Sequence, residues 1–381
     1  MAMVELDERA TQYGVTFLDD TNDSSYNIGM KGVEAVLEAS TREGWVDVAT
    51  SDDVAGTDFA KMKSAPTPVV AENGNKLHYV HILSRSPQEN TPTIVIFPGF
   101  TEMIDHFMEI GYYYWQAGFD IYILEHRGQG RSPRDVKNLG LIWIDDFRRY
   151  VADAQKFIRS IVRPHSASSF GEKAPVYVYG HSMGGGIAAA LAEHDPDLVD
   201  KYVLTSPMIA ALSPLSAWLT NVSASMGAFF ASKKQIFVHP DKQFNTEFDE
   251  EFAAGLNHGR ALWLHNRRCA VETNQMYAAS YNWVKQGLNL NRYIRLRSNE
   301  ERIHTPMLLF QSEHDAWVSN EQQDAFIADV NNAAEAAGRT APITKIFMAG
   351  ARHELEAEKA QTVRDMVVSM LAFLTEGTAQ A

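Results

Sequence analysis

Ser182 lies at the centre of Gly180-His181-Ser182-Met183-Gly184, the five residues whose types and spacing point most directly to chemistry. An apolar, β-prone run over 176–179 precedes them, and small residues typical of a helix follow over 185–192. A G-x-S-x-G pattern between a strand and a helix predicts a sharp turn that exposes the serine as a nucleophile. Side chains in place of the two glycines would collide at such a turn. The alternative, a glycine-rich turn with a solvated serine, is disfavoured by the flanking strand and helix.

An activated serine needs a general base, and the base needs a carboxylate that orients it. In α/β-hydrolases the acid and then the histidine follow the serine along the chain. Beyond residue 315 the sequence contains one histidine, His353, and it lies just after a predicted strand, so it is the candidate base. Asp315 is the candidate acid because it lies a few residues beyond the preceding strand. Glu313 is the alternative acid.

A tetrahedral oxyanion would need backbone N–H donors close to the serine. One donor is expected to be the amide of Met183. The second is expected in the loop Pro98-Gly99-Phe100-Thr101-Glu102, which follows a strand predicted over 93–97. Because Gly99 allows a close approach of the backbone, the amide of Phe100 is the natural second donor.

Strands alternate with helices along most of the chain, which predicts βαβ units and a mainly parallel central sheet flanked by helices. The predicted strands are 76–83, 93–97, 120–124, 176–179, 202–205, 307–311 and 344–348, and the predicted helices are 30–40, 142–162, 321–337 and 355–375. The alternation breaks between Pro207 and His304, in a helix-like stretch with no obvious strand. We therefore predict a core over 66–207 and 305–381, a helical cap over 208–304, and an acidic N-terminal extension over 1–65.

The composition is that of an ordinary globular chain, with 381 residues, 45% hydrophobic and 22% charged, enough for a large buried core. A net charge of -14 argues against non-specific nucleic-acid binding, which needs lysine and arginine to neutralise phosphates. Residues 1–60 carry thirteen Asp/Glu and three Lys/Arg, a balance of -10, which favours a solvated acidic leader.

Targeting and redox signals are sparse. The single cysteine, Cys269, excludes an internal disulfide and a multi-cysteine metal site. The sequence has neither the pattern of a signal peptide nor a run of about 18 apolar residues. We therefore expect a cytoplasmic location, with peripheral membrane association as the alternative.

Four segments together resemble the serine hydrolases that include monoacylglycerol lipases and bacterial lysophospholipases. They are Phe97-Pro98-Gly99-Phe100-Thr101-Glu102, Glu125-His126-Arg127-Gly128-Gln129-Gly130-Arg131-Ser132, Gly180-His181-Ser182-Met183-Gly184-Gly185 and Gly350-Ala351-Arg352-His353-Glu354. The resemblance covers residues 68–207 and 305–378. It departs from the usual pattern at Pro98-Gly99, where the family commonly has His-Gly. In this departure the sequence is similar to the bacterial lysophospholipases of the family.

The resemblance implies an α/β-hydrolase fold, and the serine mechanism needs no metal or organic cofactor. It implies Ser182 as nucleophile, Asp315 as acid, His353 as base, and the amides of Phe100 and Met183 as the oxyanion hole. The segment over 125–132 is expected to be mainly structural.

We therefore expect a hydrolase that cleaves carboxylic esters of lipids, monoacylglycerol or lysophospholipid, through an acyl-enzyme on Ser182. Trp218, Phe229 and Phe230 in the cap are the candidate substrate-binding residues. Such residues line acyl tunnels, face membranes or simply pack on a core. Residues 208–304 carry eleven Lys/Arg and eight Asp/Glu, a balance of +3, which would suit a phosphate-bearing headgroup.

Two alternatives remain open at this point. One is an amidase or proline-type aminopeptidase of the same fold, which would need an acidic subsite for the substrate amine, and the other is a general carboxylesterase. The expected partner is a small lipid ester, with transient membrane-surface contact through the cap and no nucleic acid.

Overall fold

A computed structural model describes residues 3–212, 217–235 and 243–375, without the side chains of 217–221. Its strands, in chain order, are β1 (Thr41–Asp47), β2 (Lys76–Ile82), β3 (Thr93–Phe97), β4 (Asp120–Leu124), β5 (Leu141–Ile142), β6 (Val176–His181), β7 (Lys201–Thr205), β8 (Ala278–Ala279), β9 (Met307–His314) and β10 (Ile343–Arg352). Eight of them form one sheet in the order β1-β2-β4-β3-β6-β7-β9-β10. β2 pairs antiparallel with β1 and β4, and the remaining neighbours are parallel. The predicted mainly parallel sheet is confirmed.

Helices flank this sheet. In chain order they are α1 (Met3–Gln12), α2 (Asp23–Ser40), α3 (Met108–Gln116), α4 (Arg148–Phe157), α5 (Arg163–Phe170), α6 (Ser182–His194), α7 (Ala217–Ala231), α8 (Glu250–Ala253), α9 (His258–Ala270), α10 (Tyr281–Ile294), α11 (Arg297–Glu300), α12 (Asn320–Ala336) and α13 (Ala360–Thr375). A π-helical turn over Ile158–Val162 joins α4 to α5. Short 3₁₀ turns lie at Asp52–Val54, Asp58–Lys61, Ile104–Phe107, Glu272–Asn274 and Leu355–Ala357.

The central strands are buried on both faces. Alternate residues of a strand point to opposite sides of the sheet. In β6, Val178 packs with α4 and α6, whereas Tyr177 and Tyr179 pack with α3 and α13. This explains why the strands beside the candidate serine are almost uninterrupted apolar runs, as expected of a parallel sheet covered on both sides.

The first 65 residues are not a solvated leader, so that expectation is wrong for the described part of them. β1 extends the central sheet and pairs along its whole length with β2. The buried residues of α2 are Tyr26, Met30, Val33 and Leu37, a helical spacing that turns one face toward the core. Most acidic side chains of the segment lie on the remaining surface, so a negative charge balance is compatible with a packed segment.

A buried ionic network ties this N-terminal segment to the rest of the fold. The guanidinium of Arg260 in α9 contacts both Glu109 and Asp20, at 2.7 Å each. Arg364 in α13 lies 3.1 Å from the same Asp20. Tyr26 completes the network by donating its hydroxyl hydrogen to Glu109.

Three predicted elements differ from the structure in where they begin or in the strands they contain. The helix predicted over 142–162 begins at Arg148, because Leu141–Ile142 forms β5 and pairs with β8. The 208–304 stretch therefore contains a two-residue strand, contrary to the sequence pattern. The helix predicted over 355–375 begins at Ala360, after the 3₁₀ turn.

Within the part of the chain that the structure describes, no helix combines the length and the apolar character that a membrane span requires.

Candidate active site

Ser182 lies at the turn between β6 and α6, as the first residue of the helix. Its φ is 49°, in the left-handed region that residues with a side chain rarely adopt. A Cβ on Gly180 would lie 2.7 Å from the carbonyl oxygen of Gly184, and one on Gly184 would overlap the carbonyl oxygen of Phe97. The strained turn expected from the glycine spacing is therefore present.

His353 lies between Ser182 and Asp315. Its Nε2 is 2.8 Å from Ser182 Oγ, and its Nδ1 is 2.7 Å from Asp315 Oδ2. The side chain of Asp315 is fully buried, and Asp315 Oδ1 also accepts the amides of Trp317 and Val318. These contacts fix the carboxylate, which in turn orients the imidazole toward the serine.

Opposing effects set the charges of this pair. Burial would raise the pKa of the Asp315 carboxyl, but the hydrogen bond and charge of His353, with the two amides, hold that pKa below its ordinary value. Burial would lower the pKa of His353, but the hydrogen bond to Asp315 and the nearby carboxylates of Glu354 and Asp315 raise it. The two pKa shifts together favour an ionised Asp315 carboxylate beside a His353 imidazole that is readily protonated.

Glu313, the alternative acid, is placed differently. Its Oε2 accepts the amide of Gly350 at 2.7 Å, in the loop that leads to His353. The geometry thus brings Asp315 to the histidine ring and leaves Glu313 supporting the backbone before it.

The loop that carries Phe100 lies directly against Ser182. Phe97 and Gly180 are partners in the β3–β6 ladder, so the loop after β3 and the turn after β6 leave the same edge of the sheet. A Cβ on Gly99 would lie 3.1 Å from Ser182 Cβ, which shows how close the backbones are. The amide of Met183 lies in the first turn of α6, where N–H groups have no acceptor within the helix.

Three side chains that the sequence analysis did not single out hold this loop. Gln129 accepts the amide of Thr101 at 2.5 Å and donates to the carbonyl of Gly99 at 3.1 Å. Glu102 accepts the amide of Gly99, and Arg268 of α9 donates to the carbonyl of Thr101. The φ of Thr101 is 64°, so the loop is held in a conformation that its sequence does not favour.

Gln129 belongs to the segment over 125–132 that we expected to be mainly structural. The signal that could have identified it is its position after β4, whose carboxyl end is adjacent to that of β3 in the sheet. Elsewhere the segment does make internal contacts, such as the buried pair of Arg127 Nε and Asp153 Oδ2 at 3.2 Å.

The candidate substrate-binding residues lie in α7. Phe229 and Phe230 are 82% and 78% exposed, and their rings touch each other rather than a buried wall. Their exposure argues against the expectation that they line an enclosed acyl tunnel. Trp218 begins the same helix, but its side chain lies outside the described residues.

A small apolar cavity of about 10 Å³ lies beside Met183. Its lining residues are Phe147, Tyr150, Met183, Met208, Trp283, Gln286, Gly287 and Leu290. The ring of Phe100 packs on Trp283 of α10 with centroids 4.0 Å apart. A volume of this size holds about one water molecule, so an acyl chain could enter here only if α10 moved away from the core.

Two arginines of the 208–304 stretch, whose positive charge balance would suit a phosphate, already pair with carboxylates. Arg295 pairs with Glu300 and with Asp329, and Arg297 pairs with Glu301. These pairs give no support to a headgroup site at this place.

Behind the triad lies a group of side chains that we call the His–Glu cluster, formed by Glu102, His106, His181 and Glu354. Together these residues join the loop after β3, the 3₁₀ turn at Ile104–Phe107, the end of β6 and the loop after β10. The ring centroids of His181 and His353 are 5.0 Å apart, so the cluster abuts the triad.

Comparison with known proteins shows which proteins this chain is similar to. The profile of the family described as serine aminopeptidase, S33, matches residues 88–360. Lysophospholipase L2 of Escherichia coli (strain K12) is 26% identical over 287 residues, which are 71% of this chain and 77% of the relative.

Two solved structures illustrate the likeness in fold. The first, a soluble variant of monoglyceride lipase from Saccharomyces cerevisiae in complex with a substrate analog, is 17% identical, with a TM-score of 0.60 over 82% of this chain and 96% of that one. The second, a highly thermostable carboxyl esterase from Bacillus coagulans in complex with glycerol, is 16% identical, with a TM-score of 0.61 over 81% and 96%. The predicted α/β-hydrolase fold and the resemblance carried by the four segments are confirmed.

Proposed function

Because this chain belongs to the serine aminopeptidase S33 family of α/β-hydrolases, we propose that it hydrolyses carboxylic esters of lipids through an acyl-enzyme on Ser182. The observation that carries the proposal is the continuous contact from Ser182 Oγ through both nitrogens of His353 to Asp315. A nucleophile, its base and an orienting acid in this arrangement are the parts that acyl transfer requires.

The reaction follows from these contacts. His353 Nε2 takes the proton of Ser182 as Oγ attacks the ester carbonyl carbon. The amides of Phe100 and Met183 hold the developing oxyanion, and His353 then gives the proton to the leaving alcohol. In the second half, His353 takes a proton from water, the hydroxide attacks the acyl-enzyme, and Ser182 leaves with that proton as the carboxylic acid is released.

The substrate class is supported by relatives rather than by a formed pocket. The Escherichia coli relative that matches 71% of this chain is a lysophospholipase. We propose a monoacylglycerol or lysophospholipid substrate, delivered beneath a cap over residues 208–304 and cleaved in a core over 66–207 and 305–381.

The outer face of α7 supports contact with a membrane surface. Met226, Phe229 and Phe230 are exposed together on this helix. Exposed apolar side chains on a helix favour the interface between lipid headgroups and acyl chains. Replacing Phe229 and Phe230 with serine should lower turnover of vesicle-borne substrate while leaving turnover of a short soluble ester unchanged.

The function is tested by product analysis. Wild type and Ser182→Ala would be incubated with monoacylglycerol, lysophospholipid, short-chain esters and aminoacyl amides, and the products followed by mass spectrometry. Fatty acid released by wild type alone supports the proposal, and the ratio between the two lipids identifies the headgroup. Release from aminoacyl amides alone would instead support the amidase, release from short-chain esters alone would support a general carboxylesterase, and equal turnover by both proteins would reject Ser182 as nucleophile.

A further inference from the structure

Four ligand-type atoms of the His–Glu cluster face one another across a small buried space. His106 Nε2 lies 3.4 Å from Glu102 Oε1 and 3.7 Å from Glu354 Oε2. His181 Nε2 lies 3.4 Å and 3.8 Å from the same two oxygens. Nitrogen and oxygen therefore alternate around a ring whose edges all exceed an ordinary hydrogen bond.

One arrangement of the hydrogens around His181 places the proton of the neutral ring on Nδ1. When Thr205 donates its hydroxyl hydrogen to Glu356, at 2.9 Å, its oxygen accepts from His181 Nδ1 at 3.0 Å. In the neutral ring, Nε2 then presents a lone pair to two carboxylate oxygens.

This nitrogen lacks a suitable partner. His181 Nε2 is fully buried and makes no hydrogen bond within the described residues, and the same holds for His106 Nε2 and Glu354 Oε2. A lone pair facing ionised carboxylate oxygens is repulsive, a cation between them removes the repulsion, and burial disfavours the proton of an imidazolium.

The charges around the cluster also leave room for a divalent cation. Three carboxylates, those of Glu102, Glu354 and Glu356, lie close together behind the triad, with the single guanidinium of Arg268 beside them. Ionised, these groups sum to -2. A divalent ion would bring the group to neutrality without protonating a carboxylate.

We propose that the His–Glu cluster is a binding site for one Zn²⁺, with His106 Nε2, His181 Nε2, Glu102 and Glu354 as ligands. Zinc takes histidine nitrogen and carboxylate oxygen at about 2.0–2.2 Å in tetrahedral sites, which separates ligand atoms by about 3.3–3.6 Å. Two of the four nitrogen–oxygen distances already lie in this range, and the other two exceed it slightly. The contact of His181 Nδ1 with Thr205 and Glu356 is the outer hydrogen bonding that orients a metal-binding histidine.

The site has a structural consequence and an entry path. Glu102 contacts the cluster through Oε1, while its Oε2 accepts the amide of Gly99 in the loop that carries Phe100. A bound ion therefore ties this loop to the end of β6 and to the loop of His353. The side chain of Glu354 is 25% exposed although its Oε2 is buried, so this residue separates the site from solvent and would have to move for an ion to enter.

The experiment measures zinc itself and does not depend on the proposed ester hydrolysis. Full-length protein would be stripped with a chelator, equilibrated with zinc chloride and desalted, and the retained metal counted by plasma mass spectrometry. We expect one zinc per chain in wild type and at least a tenfold loss in His106→Ala and in the isosteric Glu354→Gln. His304→Ala removes an exposed histidine outside the cluster and should retain one zinc.

Two further measurements guard against a folding artefact. Zinc at a hundredfold excess over Kd should raise the Tm of stripped wild type by about 3 °C and leave that of Glu354→Gln unchanged. Cobalt(II) in the site should give the intense visible absorption of a tetrahedral complex. Wild type that retains no zinc, or variants that retain as much as wild type, would overturn the proposal.

Discussion

Gln129 holds Thr101, accepting its amide hydrogen at 2.5 Å, and the same side chain donates to Gly99 on the other side of Phe100. Both residues that flank the expected oxyanion donor are thus fixed by one carboxamide. Because Thr101 has a positive φ, the loop depends on these contacts to keep its shape.

Gln129→Ala should lower kcat by about 10- to 100-fold with little change in KM, since a displaced oxyanion donor acts on the transition state rather than on substrate binding. Steady-state kinetics with a soluble ester checks this. Gln88→Ala, at an exposed glutamine, is the matched control. A variant with unchanged kcat would show that the contacts of Gln129 do not position the donor.

Asp315→Asn should reduce kcat by up to about 10⁴-fold, because the amide no longer stabilises the imidazolium or selects its useful tautomer. Glu313→Gln, which changes a carboxylate bonded to Gly350 rather than to His353, should keep most of the activity. Kinetics on the two variants side by side decides between them. If Glu313→Gln is the more damaging change, the acid is misassigned.

The pH dependence follows from His353. Its pKa is raised in the folded protein, so the neutral base is lost at a higher pH than an ordinary histidine would require. The acid limb of kcat/KM should therefore have its midpoint above about 6.5, and Asp315→Asn should move it downward. The profile would be recorded on chelator-treated protein, so that no cation neutralises Glu354. A midpoint well below 6.5 would contradict the observed contacts.

The raised pKa of His353 also makes the free energy of unfolding depend on pH. Because protonated His353 is favoured in the folded state, its contribution is fully present below the unfolded pKa and is lost as pH rises through the folded pKa. Urea unfolding of wild type and His353→Gln at several pH values should give a difference in unfolding free energy that shrinks as pH rises above about 6.5. A difference that grows with pH would have the wrong sign.

The buried network around Arg260 should contribute strongly to the stability of the fold. Glu109→Gln leaves the buried guanidinium of Arg260 without one of its two carboxylates and should cost about 3–5 kcal/mol. Chemical denaturation measures the cost. Asp197→Asn, which breaks an exposed contact with His304, should be nearly neutral. Equal effects of both changes would mean that the network does not stabilise the fold.

The elbow and the alternation of strands with helices could be predicted from sequence because their causes are local. Gly180 and Gly184 are required by atoms within or beside the same turn, and β3 and β6 are apolar runs with clear ends. His353 could be selected because no other histidine follows residue 315.

The remaining elements depend on partners far along the chain. β1 reads TREGWVD, a polar run whose strand character comes from pairing with β2. β5 and β8 have two residues each and pair across more than 130 positions. Gln129 likewise gains its role only when two loops from adjacent strands meet, which no pattern within either loop records.

The most direct test of the account is the identity of the acylated residue. Wild type treated with a fluorophosphonate would be digested and its labelled peptide sequenced by mass spectrometry, with Ser182→Ala as the control. We expect one label, on Ser182, and the fraction of labelled protein should equal the fraction of ester hydrolysis that is lost. The variant should carry no label. A label on another residue, or full loss of hydrolysis without a label on Ser182, would contradict the proposed nucleophile.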